Sequence, residues 1–453
     1  MLQIKNLTIT HLKDLRTIIE NFSFTLNKGD KAVIIGEEGN GKSTLLKLIY
    51  DESLVDDYVE YSGEIIKNNT VFGYLAQELS QEQKNKSVFE LCSDVPVFHS
   101  LAPDELSNIA LPLGLRPGIF YSDRQVKTLS GGEKVKIQLA KILMQQPDAL
   151  LLDEPSNDLD IDTLVWLEGF INSCSLPMLF VSHDETLIEN TANVIIHVEQ
   201  VRRKTRTRYT IEKMPYRRYV DERLYAISRQ EQIAKKERSQ YEKQQEKLRQ
   251  IEAKVEHQLR TISRADPSGG RRLKKKMKTV KSMGKRFEKE RGNMTQLPDV
   301  EEAIMIKFDE NVCIPNGKTV LDFKLDELTV QNHVLSKNII LNIAGPKKIC
   351  IIGKNGIGKT TLLKLIAEDL LARRDLKAAY MPQDYEELLN LDKTPVEFLS
   401  VTGEKNEITK IRTLLGSMKY TADEMEHDAY ELSGGQKAKL LFLKMILGSS
   451  YAS

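Results

Sequence analysis

The sequence has few of the residues that build disulfide frameworks, zinc sites or membrane spans. Its 453 residues include only four cysteines, which lie far apart and form no Cys-x-x-Cys pair, so a disulfide scaffold or zinc site is not expected. No apolar run reaches the roughly 18 to 20 residues that a membrane helix needs. The opening segment MLQIKNLTITHLKD lacks the layout of a signal peptide. We therefore expect a globular, cytoplasmic protein.

The net charge is also low, but it conceals an uneven distribution along the chain. Lys and Arg number 66 against 65 Asp and Glu, which leaves a net charge of +1. Residues 201–298 hold 30 of the basic residues and 12 of the acidic ones, so this segment carries +18 and the two flanks together carry −17. Such asymmetry predicts a polyanionic partner for the middle segment.

The two flanks contain the same motifs in the same order. A glycine-rich motif and a Leu-Ser-Gly-Gly motif each occur twice: GEEGNGKS (36–43), GKNGIGKT (353–360), LSGGE (129–133) and LSGGQ (432–436). A glutamine lies between the motifs in each flank, Gln77 in the first and Gln383 in the second. This recurrence indicates duplication of one domain. The predicted domains are residues 1–200, a basic linker at 201–298, and residues 299–453.

The linker has the apolar spacing of two helices. Apolar residues recur at intervals of three and four on both sides of an Asp-Pro-Ser-Gly-Gly break: Leu248, Ile251, Val255, Leu259 and Ile262 before it, and Leu273, Met277, Val280 and Phe287 after it, with Met283 or Gly284 in the remaining place. The mirrored order predicts an antiparallel helical hairpin in which Val255 faces Val280 and Leu248 faces Phe287, with its tip at about 263–272. A single solvated, charged linker is the alternative, and the matched spacings argue against it.

Basic residues flank the predicted tip. Their charge favours contacts with RNA phosphates, and the arginine planes can stack on unpaired bases. These candidate RNA-binding residues are Arg260, Arg264, Arg271, Arg272, Lys274, Lys275 and Lys276. The alternative is that they only keep a helical hairpin soluble.

The first glycine-rich motif has the context of a phosphate-binding loop (P-loop). The apolar segment at 32–35 reads as a buried strand, and a helix is predicted to begin at Ser43. Lys42 adds positive charge at the phosphates, and Ser43 offers a hydroxyl to Mg²⁺. The predicted ATP-binding residues are Gly36, Glu37, Glu38, Gly39, Asn40, Gly41, Lys42, Ser43 and Thr44 in the first flank, and Gly353, Lys354, Asn355, Gly356, Ile357, Gly358, Lys359, Thr360, Thr361 and Gln383 in the second. Thr360 is the second predicted hydroxyl ligand of Mg²⁺.

Another apolar strand of the first flank ends in two carboxylates. Residues 149–155 read ALLLDEP, which places Asp153 and Glu154 at the end of the strand. Asp153 is predicted to hold Mg²⁺ through water, and Glu154 to polarise the attacking water. A later strand leads into His183, which is predicted to contact the terminal phosphate. Gln77 is a further predicted catalytic residue and metal ligand.

This order of motifs resembles the ABC ATPase family. Two cassettes in one chain, a basic helical linker and no membrane segment are together similar to its ABC-F subfamily. The resemblance implies an α/β fold with two P-loop ABC ATPase cassettes joined by an antiparallel α-helical hairpin. It also implies that the cassettes close head to tail over ATP and Mg²⁺, so that the signature motif of each cassette faces the other's P-loop. The signature residues are Ser130, Gly131, Gly132 and Glu133 in one cassette, and Ser433, Gly434, Gly435 and Gln436 in the other.

The resemblance also implies a function for the linker. ABC-F proteins bind the ribosomal E site with the linker pointing toward the peptidyl-transferase centre, some as translation factors and others as protection against antibiotics. We therefore expect an ATPase that acts on the ribosome, with rRNA or tRNA as partner. Three alternatives remain open: the ATP-binding subunit of a transporter, which leaves the basic linker unexplained; a DNA-repair or chromosome ATPase, whose longer coiled coils or zinc modules are absent; and an inactive truncated product.

The second cassette is expected to be incomplete. The sequence ends at residue 453, shortly after the second signature motif at 432–436. It contains no second strand ending in Asp-Glu and no second histidine equivalent to His183. We therefore expect one complete hydrolytic site, built on the first P-loop, and a second site without catalytic carboxylates. Loss of central strands from a parallel sheet is also expected to expose apolar surface in this cassette.

Overall fold

The computed structural model describes residues 2–201, 206–261, 267–292, 295, 314–330, 333–373 and 375–450. The chain divides into two compact units, Met1–Lys213 with Glu301–Ser453, and Met214–Val300. The first unit therefore contains both motif repeats and extends to Lys213, beyond the predicted boundary at residue 200. The second unit contains the remainder of the basic linker. Within the described residues, no helix combines the length and the apolar character that crossing a membrane requires.

The first repeat alternates strands and helices. Its strands are β1 (Leu2–His11), β2 (Thr17–Leu26), β3 (Lys31–Ile35), β4 (Val59–Ile66), β5 (Phe72–Leu75), β6 (Ala149–Asp153), β7 (Met178–Val181), β8 (Val194–Val201) and β9 (Arg206–Glu212). Its helices are α1 (Lys42–Tyr50), α2 (Gln81–Asn85), α3 (Val88–Ser93), α4 (Pro103–Ala110), α5 (Gly131–Leu143), α6 (Ile161–Ser173) and α7 (Glu185–Thr191). Short 3-10 turns lie at Glu52–Leu54, Pro96–Ser100, Pro117–Tyr121 and Val126–Thr128.

These strands form two sheets around one core. The order β2-β1-β4 is antiparallel, and the order β5-β6-β7-β3-β8-β9 is parallel except at β9. Strands β6 and β7 are buried along their whole length, as expected for the centre of a parallel sheet. Phe22, Ile34, Leu45 and Leu151 fill the core shared by both sheets and α1. Because parallel strands end at the same edge, the loops after β3, β5, β6 and β7 converge there.

The linker forms a helical hairpin of α8 (Tyr216–Thr261) and α9 (Pro267–Gly292). Val255 and Val280 are both buried between the helices, as their mirrored positions predicted. One detail differs from the predicted spacing, because Ile251 is 41% exposed. Of the two residues predicted for the remaining place, Gly284 approaches Leu248 and Met283 is 42% exposed.

The predicted tip at 263–272 is too long. Helix α9 already begins at Pro267, so residues 267–272 are helical rather than part of a turn. Proline at the first helical position loses no hydrogen bond, because the N–H groups of the first turn have no partner within the helix. The Pro-Ser-Gly-Gly segment therefore starts the second helix instead of breaking it. Arg264 lies outside the described residues.

The second repeat has a different layout from the first. It contains β10 (Thr319–Val330), β11 (His333–Ala344), α10 (Lys359–Ala372), α11 (Pro395–Leu399), α12 (Lys405–Ser417) and α13 (Gly434–Ser450), with 3-10 turns at Tyr385–Glu387 and Ala429–Glu431. Strands β10 and β11 pair with each other, and a separate core lies among α11, α12 and α13.

The described part of the second repeat contains no parallel sheet. The segment 347–353, which corresponds to β3, has no strand partner there. Its isoleucines are exposed as a result, with Ile349 at 55% and Ile352 at 73%. In the first repeat, β7 and β8 cover the same segment on both sides. The expected apolar exposure is therefore present, while the α/β class and the two cassettes match the prediction.

Candidate nucleotide-binding site

The P-loop at 36–43 joins β3 to α1 at the sheet edge where the strands end. Gly36, Gly39 and Gly41 have φ values of 150°, 77° and 81°, a region that side chains disfavour. A Cβ at Gly36 would overlap the carbonyl oxygen of Val198, and one at Gly41 would overlap the Ile18 side chain. Glycine is therefore required at both positions, and the bare backbone curves into a cradle that fits a phosphate chain.

Lys42 lies inside the curve of this loop. Its Nζ donates hydrogen bonds to the carbonyl oxygens of Gly36 and Glu37, both at 2.9 Å. The side chain is buried, so its charge acts in a region of low dielectric. Asn40 fastens the loop to the sheet by donating from Nδ2 to the Val198 carbonyl oxygen at 3.0 Å.

Ser43 and Asp153 meet at the start of α1. The Ser43 hydroxyl donates to Oδ1 of Asp153 at 2.8 Å, and the Tyr74 hydroxyl donates to Oδ2 at 3.3 Å. Burial raises the pKa of Asp153, and the hydrogen bond from Ser43 opposes that shift. A hydroxyl and a carboxylate at the mouth of a phosphate-binding loop are oxygen ligands of the kind that Mg²⁺ takes, so the residues present fit this ion.

Glu154 is held beside His183 at the same edge. Its backbone has a φ of 48°, and its N–H donates to the carbonyl oxygen of Val181 at 3.0 Å. Oε1 lies 3.3 Å from Nε2 of His183, while Oε2 is buried without a hydrogen-bond partner in the described part of the chain. Burial raises the pKa of Glu154 and lowers that of His183, which Lys42 lowers further. An unpaired, basic carboxylate oxygen can accept a proton from water.

Both signature motifs begin helices in the same way. The Ser130 hydroxyl accepts from the Glu133 N–H at 3.2 Å, and a Glu133 oxygen accepts from the Ser130 N–H at 2.9 Å. Ser433 and Gln436 repeat this capping box at the start of α13. The glycines between them leave first-turn N–H groups unscreened by side chains, which suits an anion.

The backbone of the second P-loop has the same conformation as the first, but fewer functional side chains lie beside it. Gly353, Gly356 and Gly358 have φ values of 156°, 79° and 92°, and Lys359 Nζ donates to the carbonyl oxygens of Gly353 and Lys354 at 2.7 and 2.8 Å. Thr360 and Thr361 open α10. In the described residues, this loop has no counterpart of Asp153 or Glu154 beside it. Gln77 and Gln383 are both exposed, and Gln77 follows β5 at the edge that carries Asp153.

Residues of the two repeats contact each other within the first unit. Asn355 of the second P-loop donates from its backbone N–H to Asp160 at 3.2 Å and from Nδ2 to the Asp158 carbonyl oxygen at 2.6 Å. On the other side, Gly435 lies so close to Glu38 that a Cβ would overlap the carboxylate. Each P-loop thus lies near motifs of the other repeat.

Sequence reasoning missed three contributors to the site. Tyr74 binds Asp153, Tyr58 shares a hydrogen bond with Thr44, and Lys419 pairs with Glu37. The sequence offered a weak indication of Tyr74, because this residue lies on β5, shortly before Gln77, and β5 ends at the same edge of the sheet as the strand of Asp153. Lys419 had none, since it lies in the other repeat.

Comparison with known proteins identifies the family that both repeats match. The family model described as ABC transporter matches residues 19–157 and 336–451, one stretch in each repeat. ABC transporter F family member 5 of Arabidopsis thaliana is 28% identical over 96% of this chain and 65% of its own length. The ABC transporter ATP-binding protein YfmM of Bacillus subtilis (strain 168) is 28% identical over 97% of this chain and 88% of its own. The ATP-binding protein Uup of Buchnera aphidicola is 27% identical over 96% of this chain and 69% of its own.

The chain spans about two thirds of the length of the Arabidopsis and Buchnera relatives. The family match, in contrast, covers more than half of the chain and includes the P-loop and signature motif of both repeats. The chain therefore belongs to the ABC transporter family and carries two of its ATP-binding cassettes.

Proposed function

We propose that this protein is an ABC-F type ATPase that acts on the ribosome. The observation that carries the proposal is the basic helical hairpin between two cassettes, in a chain whose described residues include no membrane-spanning helix. A transporter subunit has no evident use for such a hairpin. The relative from Arabidopsis bears the F family name, which supports the same assignment.

The first P-loop is the proposed hydrolytic site. Mg²⁺ would supply positive charge to the ATP phosphates, held by Ser43 and, through water, by Asp153. Lys42 and the loop N–H groups bind the phosphates. Oε2 of Glu154 accepts a proton from the attacking water. His183 would contact the terminal phosphate and orient that water, and its contact with Oε1 holds the Glu154 carboxylate in place. Gln77 completes the predicted set of metal and water contacts.

The two cassettes are proposed to pair head to tail. The contacts of Asn355 with Asp158 and Asp160, and of Gly435 with Glu38, support this arrangement. Ser433, Gly434 and Gly435 would then face the first P-loop, and Ser130, Gly131 and Gly132 the second. Hydrolysis is proposed at the first site, which has the carboxylates.

The hairpin is the proposed ribosome contact. The exposed residues at the end of α8 and in the first turns of α9 include Arg260, Arg271, Arg272, Lys274, Lys275 and Lys276. Exposed, clustered cations bind RNA phosphates with release of counterions. Helix α8 spans 46 residues, and this length favours protection of the ribosome from antibiotics over a translation-factor role.

Co-sedimentation with ribosomes tests the proposal. Glu154→Gln should keep ATP bound and should therefore pellet with ribosomes in the presence of ATP more than the wild-type protein does. Without ATP, both proteins should remain largely in the supernatant. Equal, ATP-independent recovery of both proteins would contradict a ribosomal function and would favour a transporter subunit or an inactive product.

A further inference from the structure

The two P-loops differ in charge at their second and third positions. The first carries Glu37 and Glu38, whereas the second carries Lys354 and Asn355. Carboxylates beside a bound triphosphate repel it, and they do so more strongly as the negative charge of the ligand increases. The first P-loop therefore needs a compensating cation that the second does not need.

Lys419 of the second repeat provides that cation. Its Nζ lies 2.5 and 2.8 Å from the two carboxylate oxygens of Glu37, a bidentate contact. The Lys419 side chain is 16% exposed and that of Glu37 is 42% exposed, so solvent screens the pair less than it screens a fully exposed ion pair. The matching contact of Lys354 with Asp162 joins two side chains that are each more than 70% exposed, where an ion pair contributes little.

Lys419 adopts a backbone conformation that glycine prefers. It has a φ of 68°, in the turn that follows α12. The corresponding turn of the first repeat follows α4 and has Gly114 at this place, with a φ of 64°. Both residues close the turn by donating their N–H to a carbonyl three residues earlier. Glycine adopts this conformation freely and lysine does not, so a lysine here is conformationally costly.

We propose that Lys419 is a specificity-determining residue of the first nucleotide site, supplied by the opposite cassette. By neutralising Glu37, it allows the first P-loop to accept a nucleoside triphosphate when the second cassette is docked. The first site thereby senses its partner cassette through an ion pair with a largely buried lysine, whereas the matching pair at the second site is exposed on both sides. This inference rests on the proposed function, because it assumes ATP binding and cassette pairing.

A double-mutant cycle on the full chain tests the inference, with Lys359→Ala as background so that only the first site binds nucleotide. Lys419→Met removes the charge and keeps the side-chain length. It should weaken MgATP binding about tenfold and MgADP binding less, because the diphosphate carries less negative charge. Glu37→Gln should tighten MgATP binding, and the double variant should return close to the background affinity. Lys410→Met, an exposed lysine on α12, serves as the matched control.

The outcomes separate the inference from the function on which it rests. Lys419→Met with unchanged MgATP affinity, in a protein that still loses MgATP on Lys42→Ala, would overturn the inference alone. An equal loss for MgATP and MgADP would also overturn it, because a merely structural role predicts that pattern. If Lys419→Met fails to fold, Glu37→Gln remains decisive, since unchanged affinity there overturns the inference. A background protein that binds no nucleotide at all would overturn the proposed function.

Discussion

Glu154 combines burial, an unusual backbone conformation and one unpaired oxygen. Its carboxyl is 7% exposed, its φ is positive, and only Oε1 has a neighbour that could orient it. A carboxylate in this state is more basic than one in water, because burial disfavours its charge. These properties are the ones that the proposed role of Glu154 as a general base requires.

We expect Glu154→Gln to reduce ATP turnover by about a hundredfold or more, because the amide cannot accept the proton. ATP binding should persist, since Lys42 and the loop N–H groups are untouched. Phosphate release under single-turnover conditions and nucleotide binding measure the two effects. Glu185→Gln, an exposed residue at the start of α7, is the matched control. Turnover equal to that of the wild-type protein would mean that another group activates the water.

The pH dependence of hydrolysis should reflect the raised pKa of Glu154. The base must be ionised, so the rate falls as the pH drops through this pKa. Because burial raises the pKa above the ordinary glutamate value, the fall should begin at a higher pH than for an exposed glutamate. The pH profile of kcat measures this acidic limb. In Glu154→Gln the residual rate should lack it, and a limb that persists there would assign it to another group.

At the scale of elements, one carboxylate fastens a loop to α12. Glu407 accepts hydrogen bonds from five groups of the preceding loop: the Ser400 hydroxyl, the Val401 N–H, the Thr402 N–H and hydroxyl, and the Gly403 N–H. These donors lower the pKa of Glu407 to about 2. The charged form is therefore the one that stabilises the helical part of the second repeat.

We expect Glu407→Gln to lower the melting temperature of the protein, because an amide donor would face the N–H groups of the loop. In the wild-type protein, the stabilisation that Glu407 provides is fully present above the ordinary glutamate pKa. It should be lost as the pH falls from there through the depressed value of about 2. Thermal melts at several pH values measure this loss. Glu404→Gln, exposed at the start of the same helix, should change the melting temperature little, and equal effects would contradict the assigned role.

The charge on α9 should determine ribosome affinity. Replacing Lys274, Lys275 and Lys276 by Gln should weaken ribosome binding and lower its salt dependence. A protein that makes fewer phosphate contacts releases fewer counterions when it binds. Binding across a series of salt concentrations measures the slope. Replacing Lys235, Lys236 and Lys243 by Gln removes the same charge in the middle of α8 and should have a smaller effect. Equal slopes for both triple variants would indicate non-specific attraction by the whole linker.

At the scale of the whole molecule, the two repeats differ in whether other strands cover the segment that precedes the P-loop. The first buries its P-loop strand between β7 and β8, while the described part of the second exposes the isoleucines of segment 347–353. An exposed apolar segment with unpaired backbone groups is a site for self-association. The molecule is therefore expected to be most prone to aggregation in its second cassette.

We expect Ile352→Lys to slow the concentration-dependent aggregation of the protein, because a charge interrupts this apolar segment. Light scattering during incubation at several concentrations measures the rate. Ile161→Lys places the same charge at another exposed isoleucine, on α6, and should not change it. Equal slowing by both variants would indicate a general effect of net charge.

Local features of the sequence determined much of this molecule. The glycine spacing at 36–43 and the apolar strand before it predicted the strand, loop and helix of the P-loop, because glycine alone suits the required backbone angles. The mirrored apolar spacing predicted the two linker helices and the burial of both Val255 and Val280. These preferences act over a few residues, or one helical turn, so they can be read without knowing the fold.

Only the tertiary structure decided how distant groups combine. The Tyr74 hydroxyl reaches Asp153 because β5 and β6 are neighbours in the sheet, and Lys419 reaches Glu37 from the other repeat. The start of α9 at Pro267 was also missed, since a proline ends one helix and begins another equally well. Strand order and cassette contacts arise from packing over the whole chain, and no local periodicity encodes them.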